Sequence, residues 1–121
     1  MKNELRLAIQ ALAQPSNIQK KLVQNSPIVG EELILYYSDA IESYFESDHL
    51  DMSASQNIAL KQLDDFILSK SGHEYQDIWL NPEKLDGSEW QHIRYLATIV
   101  AKEFNWTLES PQPLYTIIIS I

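Results

Sequence analysis

Apolar residues recur along this chain with the period of an α-helix, in separate blocks. In residues 3–14, Leu5, Ala8, Ile9 and Leu12 fall at i, i+3, i+4 and i+7, one stripe of a 3.6-residue turn. Pro15 ends that block. Ser16 stands where it can cap a second, short helix over residues 17–24, with Ile18 and Leu22 on its inner face. Ser26-Pro27 then breaks the pattern. Residues 31–46 carry the clearest signal. Leu33, Ile34, Tyr37, Ala40, Ile41, Tyr44 and Phe45 make a broad apolar face, with Leu35, Ser38, Asp39, Glu42 and Glu46 on the other side. Glu31 and Glu32 sit at the N-terminal end, where carboxylates complement the helix dipole.

A polar link over residues 47–51 leads to a fourth helix. Ser53 and Gln56 have the spacing of a capping box, and Ala59, Leu60, Leu63, Phe66 and Ile67 form the inward stripe. Gly72 reads as the C-terminal stop. Over residues 73–87 the period is lost. Asn81-Pro82 has the form of an N-cap and a first-turn proline, so one helical turn through Leu85 is expected, with Tyr75, Ile78 and Trp79 anchoring the connection. Ser88 and Gln91 offer a second capping box for a last long helix over residues 89–105, which would bury Ile93, Leu96, Ala97, Val100, Ala101 and Phe104.

Pro111 and Pro113 force an extended entry into residues 114–121, LYTIIISI, a run of β-formers. The expected fold is all-α: one domain over residues 1–121, a bundle of about five helices with a short extended C-terminal tail. Its core would combine Leu5, Ile9, Leu12, Leu33, Tyr37, Ile41, Phe45, Leu63, Phe66, Ile67, Trp90, Ile93, Leu96, Val100 and Phe104. An apolar tail has to lie against something. It either covers a groove on its own bundle, which we favour, or meets another chain in a homodimer closed through the tail.

Composition narrows this picture without redirecting it. At 121 residues, with 45% apolar and 21% charged positions, the chain can bury a real core and is not of disordered type. Three glycines leave little for phosphate-cradling loops. The absence of cysteine excludes disulfides and thiol chemistry and fits a reducing cytoplasm. Glu4, Arg6 and Gln10 interrupt the first helix, so it does not read as a secretion signal. No run approaches the roughly 18 apolar residues of a membrane span.

Charge changes more. Nine carboxylates and one base, Lys61, fall between Glu31 and Asp65, so that stretch alone carries a net −8, equal to the charge of the whole chain. Such a field repels nucleic-acid phosphates and anionic membranes and attracts basic protein surfaces. Asp39, Glu42 and Glu46 share one helix face, and Asp48 and Asp51 lie just beyond. These five are the candidate partner-binding residues. Like charges at helical i, i+3 and i+4 spacing repel by a few tenths of a kcal/mol per pair. A solvated surface tolerates that repulsion, and a cationic partner would relieve it. The basic group Arg6, Lys20 and Lys21 reads as ordinary surface, or as a counterpart of the acidic face in a dimer.

Other chemistry is thin. Glu89-x-x-His92 has the spacing of a helical carboxylate-bridged metal site, but it occurs once where such sites need two. SDHLD lacks the ligand alternation and the glycine of a calcium loop. Asp64 and Asp65 are adjacent and point in different directions on a helix. No nucleophile elbow, P-loop or dinucleotide fingerprint is present. We therefore expect no catalytic residue, no metal and no cofactor. Among the aromatics, Tyr36 and Tyr95 lie at the edges of their stripes, as boundary residues or anchors for another protein.

Three stretches, QALAQPSNIQKKL, EELILYYSDAIESYFE and IWLNPEKLDGSEWQHIRYLATIVAKEFNW, resemble in order and spacing a family of small acidic bacterial proteins, cyanobacterial among others, with no assigned function. The matching points are densest at Trp79, Leu80, Leu85, Glu89, Trp90, Arg94 and Ala97. The resemblance implies an all-helical bacterial cytoplasmic protein and carries over no site residue; LYTIIISI departs from the pattern. In physique the chain is also similar to immunity proteins, which are small, acidic, helical and non-catalytic. The leading expectation is a non-catalytic acidic protein-binding module, an immunity- or antitoxin-like inhibitor of a basic partner. The alternative is a carboxylate-based enzyme or metal-binding bundle, requiring at least three of Asp39, Glu42, Asp64, Glu89 and His92 to converge.

Overall fold

A computed structural model describes residues 3–23, 26–46 and 52–111. Among these residues the chain is all-helical, with six α-helices: α1 (Asn3–Ala13), α2 (Ser16–Leu22), α3 (Val29–Glu46), α4 (Ala54–Ser69), α5 (Gln76–Leu80) and α6 (Ser88–Glu103). Two 3₁₀ segments, His73–Tyr75 and Pro82–Asp86, bracket α5. The count exceeds the expected five because the irregular stretch after α4 folds into α5 as well as the turn at Asn81-Pro82. The link at 47–51 and the tail at 114–121 lie outside the described residues. No helix among the described residues is long and apolar enough to cross a membrane.

The capping box of α4 forms as its sequence predicts. Ser53 Oγ accepts from Gln56 N at 3.1 Å, and Gln56 Oε1 accepts from Ser53 N at 3.0 Å. The Gln56 amide also donates to Glu103 O at 3.1 Å, joining the start of α4 to the end of α6. Asn81 accepts from Glu83 N ahead of Pro82, also as predicted. Three other end signals act differently. Ser16 is the first residue of α2, and its hydroxyl donates to Asp86 Oδ1 at 2.7 Å instead of capping. Gly87 is the N-cap of α6; Ser88 bonds Glu89, and Gln91 bonds Asp86 O. Gly72 has φ −71° and starts the 3₁₀ turn, while α4 has already closed at Lys70. α6 ends at Asn105, whose φ of 61° places Trp106 N 2.8 Å from Ala101 O and Asn105 N 3.1 Å from Lys102 O. That is the paired closure of a Schellman end, with asparagine in the left-handed position.

α6 is the central helix, packed against α1 on one side and α4 on the other; α1 packs on α3, and α3 on α5. Leu5, Ile9, Leu12, Leu33, Leu63, Trp90, Ile93 and Val100 are all buried between them. Ile41, Phe66 and Phe104 are only partly buried at the margin of this core. Phe45, expected inside, is 53% exposed. It projects from the last turn of α3, where its ring meets Tyr44 edge to face at 5.8 Å instead of entering the core. At the other end of α3 the backbone of Gly30 meets α5: a Cβ there would lie 2.9 Å from Trp79 O and 3.2 Å from the Trp90 ring. Trp90 Nε1 donates to Ile78 O at 3.0 Å, and the two indoles meet edge to face at 5.8 Å.

Arg94 is the polar centre of the bundle. Its Nε donates to Gln14 O at 2.8 Å, and its Nη2 donates to Gln19 Oε1 at 2.8 Å and to Leu85 O at 2.6 Å. Gln19, fully buried, sends its amide protons to Ala11 O and Leu12 O. One guanidinium thus joins α6 to the end of α1, to α2 and to the 3₁₀ segment. Burial lowers its pKa below the ordinary arginine range, an effect that nearby Asp86 opposes. Arg94→Lys keeps the charge but cannot direct a planar fork at three acceptors. Leaving one or two buried acceptors unpaired should cost about 2–4 kcal/mol, read as a lowered midpoint in urea denaturation. An unchanged midpoint would remove Arg94 from this role.

Candidate functional site

The order α4–α6–α1–α3 leaves one seam of the bundle open. α3 and α4 approach each other sparsely, and the described residues form a groove between them. At its middle, Tyr37 Oη donates to Asp64 Oδ1 at 2.9 Å across the gap. On one side of this bridge lies a hollow of about 190 Å³ floored by Ile41 and Leu60, with Phe45, Asn57, Lys61 and Asp65 at its edges. On the other side, a hollow of about 220 Å³ lies among Ile34, Leu35, Ile67 and Trp79, with Glu31 and Ser71 at its rim. Both fall below the roughly 300–1,000 Å³ of small-molecule sites. Each has room for a large side chain.

Leu35 and Phe45, on the α3 rim, are each 53% exposed, and Leu68, one turn beyond Asp64 on α4, is 59% exposed. Single exposed apolar residues are ordinary, but several along one groove are not. Among the described residues lining these hollows the one cation, Lys61, pairs with Asp65 at 3.3 Å, and both side chains are well solvated. The excess charge of the groove is therefore negative.

Asp39, Glu42 and Glu46 are exposed, as the sequence expectation required. Glu42 follows Ile41, which lines the groove, without lining either hollow itself; with Asp39 and Glu46 it stands on the solvent-facing ridge of α3. Asp48 and Asp51 lie outside the described residues. Asp64, which the sequence offers as half of an adjacent acid pair and as one of five residues of the alternative reading, lines the groove and accepts the Tyr37 bond within it. Its helical position, one residue after Leu63 on the inward stripe, was the available signal. Tyr37 gave none, because an apolar stripe does not show where its hydroxyl ends.

No three His, Asp or Glu side chains gather at one point among the described residues, so Asp39, Glu42, Asp64, Glu89 and His92 do not converge. Glu89 accepts from Ser88, while His92 is exposed and packs on Phe66 at 4.6 Å and on Tyr95 at 6.1 Å. Tyr95 is 61% exposed, and Tyr36 is half-buried. Lys20 and Lys21 are exposed on α2. Arg6 instead lines a recess with Gln10, Thr107 and Glu109, and its Nε is buried without a partner. No family model, curated protein or solved structure matches the chain. The groove has to be interpreted from its own chemistry.

Burial, then the charge and hydrogen bond of Asp64, push the Tyr37 hydroxyl well above its ordinary pKa of 10.0. The unfolded chain releases this proton near pH 10, whereas the folded chain keeps it. The stabilisation is therefore complete below about pH 10 and lost progressively above it. Tyr37→Phe should cost about 1–2 kcal/mol at neutral pH. In urea titrations the gap between wild type and variant should narrow above about pH 10. A gap of constant size through that range would contradict the bridge.

Proposed function

We propose that this protein is a non-catalytic binding module for a basic protein partner, with the α3–α4 groove and the acidic ridge of α3 as its docking surface. The observation that carries the reading is an unclosed apolar groove with half-exposed Phe45 and Leu35, flanked by Glu42, Asp64 and the solvated Asp39 and Glu46. Apolar hollows of side-chain size supply contact area, and the carboxylates supply attraction and selectivity for positive charge. An immunity- or antitoxin-like inhibitor is the most concrete form: a net charge of −8 steers such a protein toward a cationic active site. The resemblance to small acidic bacterial proteins and the lack of cysteine agree with action in a reducing cytoplasm.

Immobilised protein should retain its partner at low ionic strength and release it as salt rises from about 50 to about 500 mM, because surface attraction is screened over this range. Glu42→Lys, with helical circular dichroism unchanged, should weaken retention by about tenfold, or ~1.4 kcal/mol. Retention indifferent both to salt and to Glu42→Lys would overturn the reading.

A further inference from the structure

The open seam contains two separate seats with a polar bar between them. The floors of the two hollows repeat one spacing on both walls: Ile34 to Ile41 on α3, and Leu60 to Ile67 on α4. Seven residues of α-helix are two turns, about 10.5 Å. Between the floors lies the Tyr37–Asp64 bridge, in which only Oδ1 of the carboxylate is engaged. Its second oxygen takes no bond from the described residues and is open to a donor arriving from outside.

We infer that the groove seats an α-helix of a basic partner, with two apolar anchors at i and i+7 and a Lys or Arg at i+3 or i+4 over Asp64. This rests on the docking function proposed above and adds the shape and register of the ligand. A helix satisfies its backbone internally, whereas an extended peptide would bring unpaired N–H and C=O groups against walls with no strand edge among the described residues. An anchor two turns from its partner returns to the same face. A third hydrophobe midway would press on a carboxylate, while a cation there forms a charge-assisted bond to it.

Two segments of the chain lack either the central cation or a free apolar face. Residues 114–121 carry no charge, and α2, which carries Lys20 and Lys21, turns Leu22 into the core.

The test uses the full chain and labelled helical peptides of about 18 residues, long enough to hold a helix. The matched peptide is an Ala/Lys host with Leu at i and i+7 and Lys at i+4. One isomer moves the second Leu to i+9, on the opposite face; another replaces the i+4 Lys with Glu. By fluorescence anisotropy the matched peptide should bind at least about tenfold more tightly than either isomer, a margin expected for losing one anchor or one buried charge contact. Phe45→Ala, at an exposed position, should abolish most of the preference for i+7 over i+9.

Equal affinity for all three peptides, with every one weakened by Glu42→Lys, overturns the helical register and leaves the acidic docking surface standing. So does failure of the matched peptide to bind protein that still retains its partner in a salt-dependent way. Failure of all peptides together with salt-indifferent retention overturns both proposals. A sedimentation mass twice that of the chain, restored to one by Phe45→Ala, assigns the groove to a second copy and also overturns the inference.

Discussion

The rest of the structure depends on the placement of one guanidinium. Among the described residues Arg94 forms no ion pair; it is held by three oxygens, from Gln14 just past α1, from Gln19 of α2 and from the 3₁₀ segment before α6. A half-buried cation satisfied this way keeps its place only while all three elements stay in register, because each buried acceptor it releases is a desolvated polar group left unpaired. Gln19 extends the demand by bonding the last carbonyls of α1, which an isolated helix would leave to solvent. α1, α2 and α6 are thereby tied together by hydrogen bonds. α3 joins it through apolar contact along α1 and through the close approach of Gly30 to Trp79.

α4 is attached on different terms. It packs on α6, its first turn is tied to the end of α6 by Gln56, and its C-terminal end holds Trp79 Nε1 at Lys70 O, 2.9 Å away. Toward α3 it offers Asp64, which accepts the hydrogen bond from Tyr37. Closing that seam would bring Asp64 toward an α3 flank that carries Glu31 and Glu42 and would strip water from the carboxylates. Desolvating like charges without a counter-ion costs more than burying two or three partly exposed side chains returns, since a fully buried Leu or Phe contributes about 1.5–3 kcal/mol. Among the described residues, none closes this seam.

Long helices were legible because their periodicity directly reports which side faces the core: the stripes of α1, α3, α4 and α6 all lie inward. Local end signals were less dependable, since tertiary partners compete for the same polar atoms. Ser53 had no competitor and formed its capping box; Ser16 met Asp86 and left its helix end uncapped. Phe45 belonged to the α3 stripe by period, but a stripe does not say where the opposing surface stops. Gln10, Gln14 and Gln19 were invisible as core residues for the opposite reason. Each is buried by a bond to backbone distant in the fold or around a corner, to Thr107, Leu108 and the α1 carbonyls respectively. The acidic ridge could be read from sequence; the groove beside it could not, because it is defined by two helices failing to meet.

In the proposed docking, ridge and groove would divide the work of association between them. Charges in water act beyond contact, over about a Debye length of 8–10 Å, and so bear mainly on encounter. Asp39 and Glu46, standing away from the groove, belong to that category. Apolar hollows act only at contact and bear on how long a complex lasts. Phe45, Leu35 and the floors beneath them belong there. Asp64 is in both categories: charged, partly buried and already oriented by Tyr37, it meets a cation without first having to order its own side chain. A basic surface without apolar anchors would be attracted and then released, and an apolar helix without a central cation would be repelled at the bridge. Selectivity for a ligand that carries both follows from placing one ordered carboxylate between two hydrophobic seats.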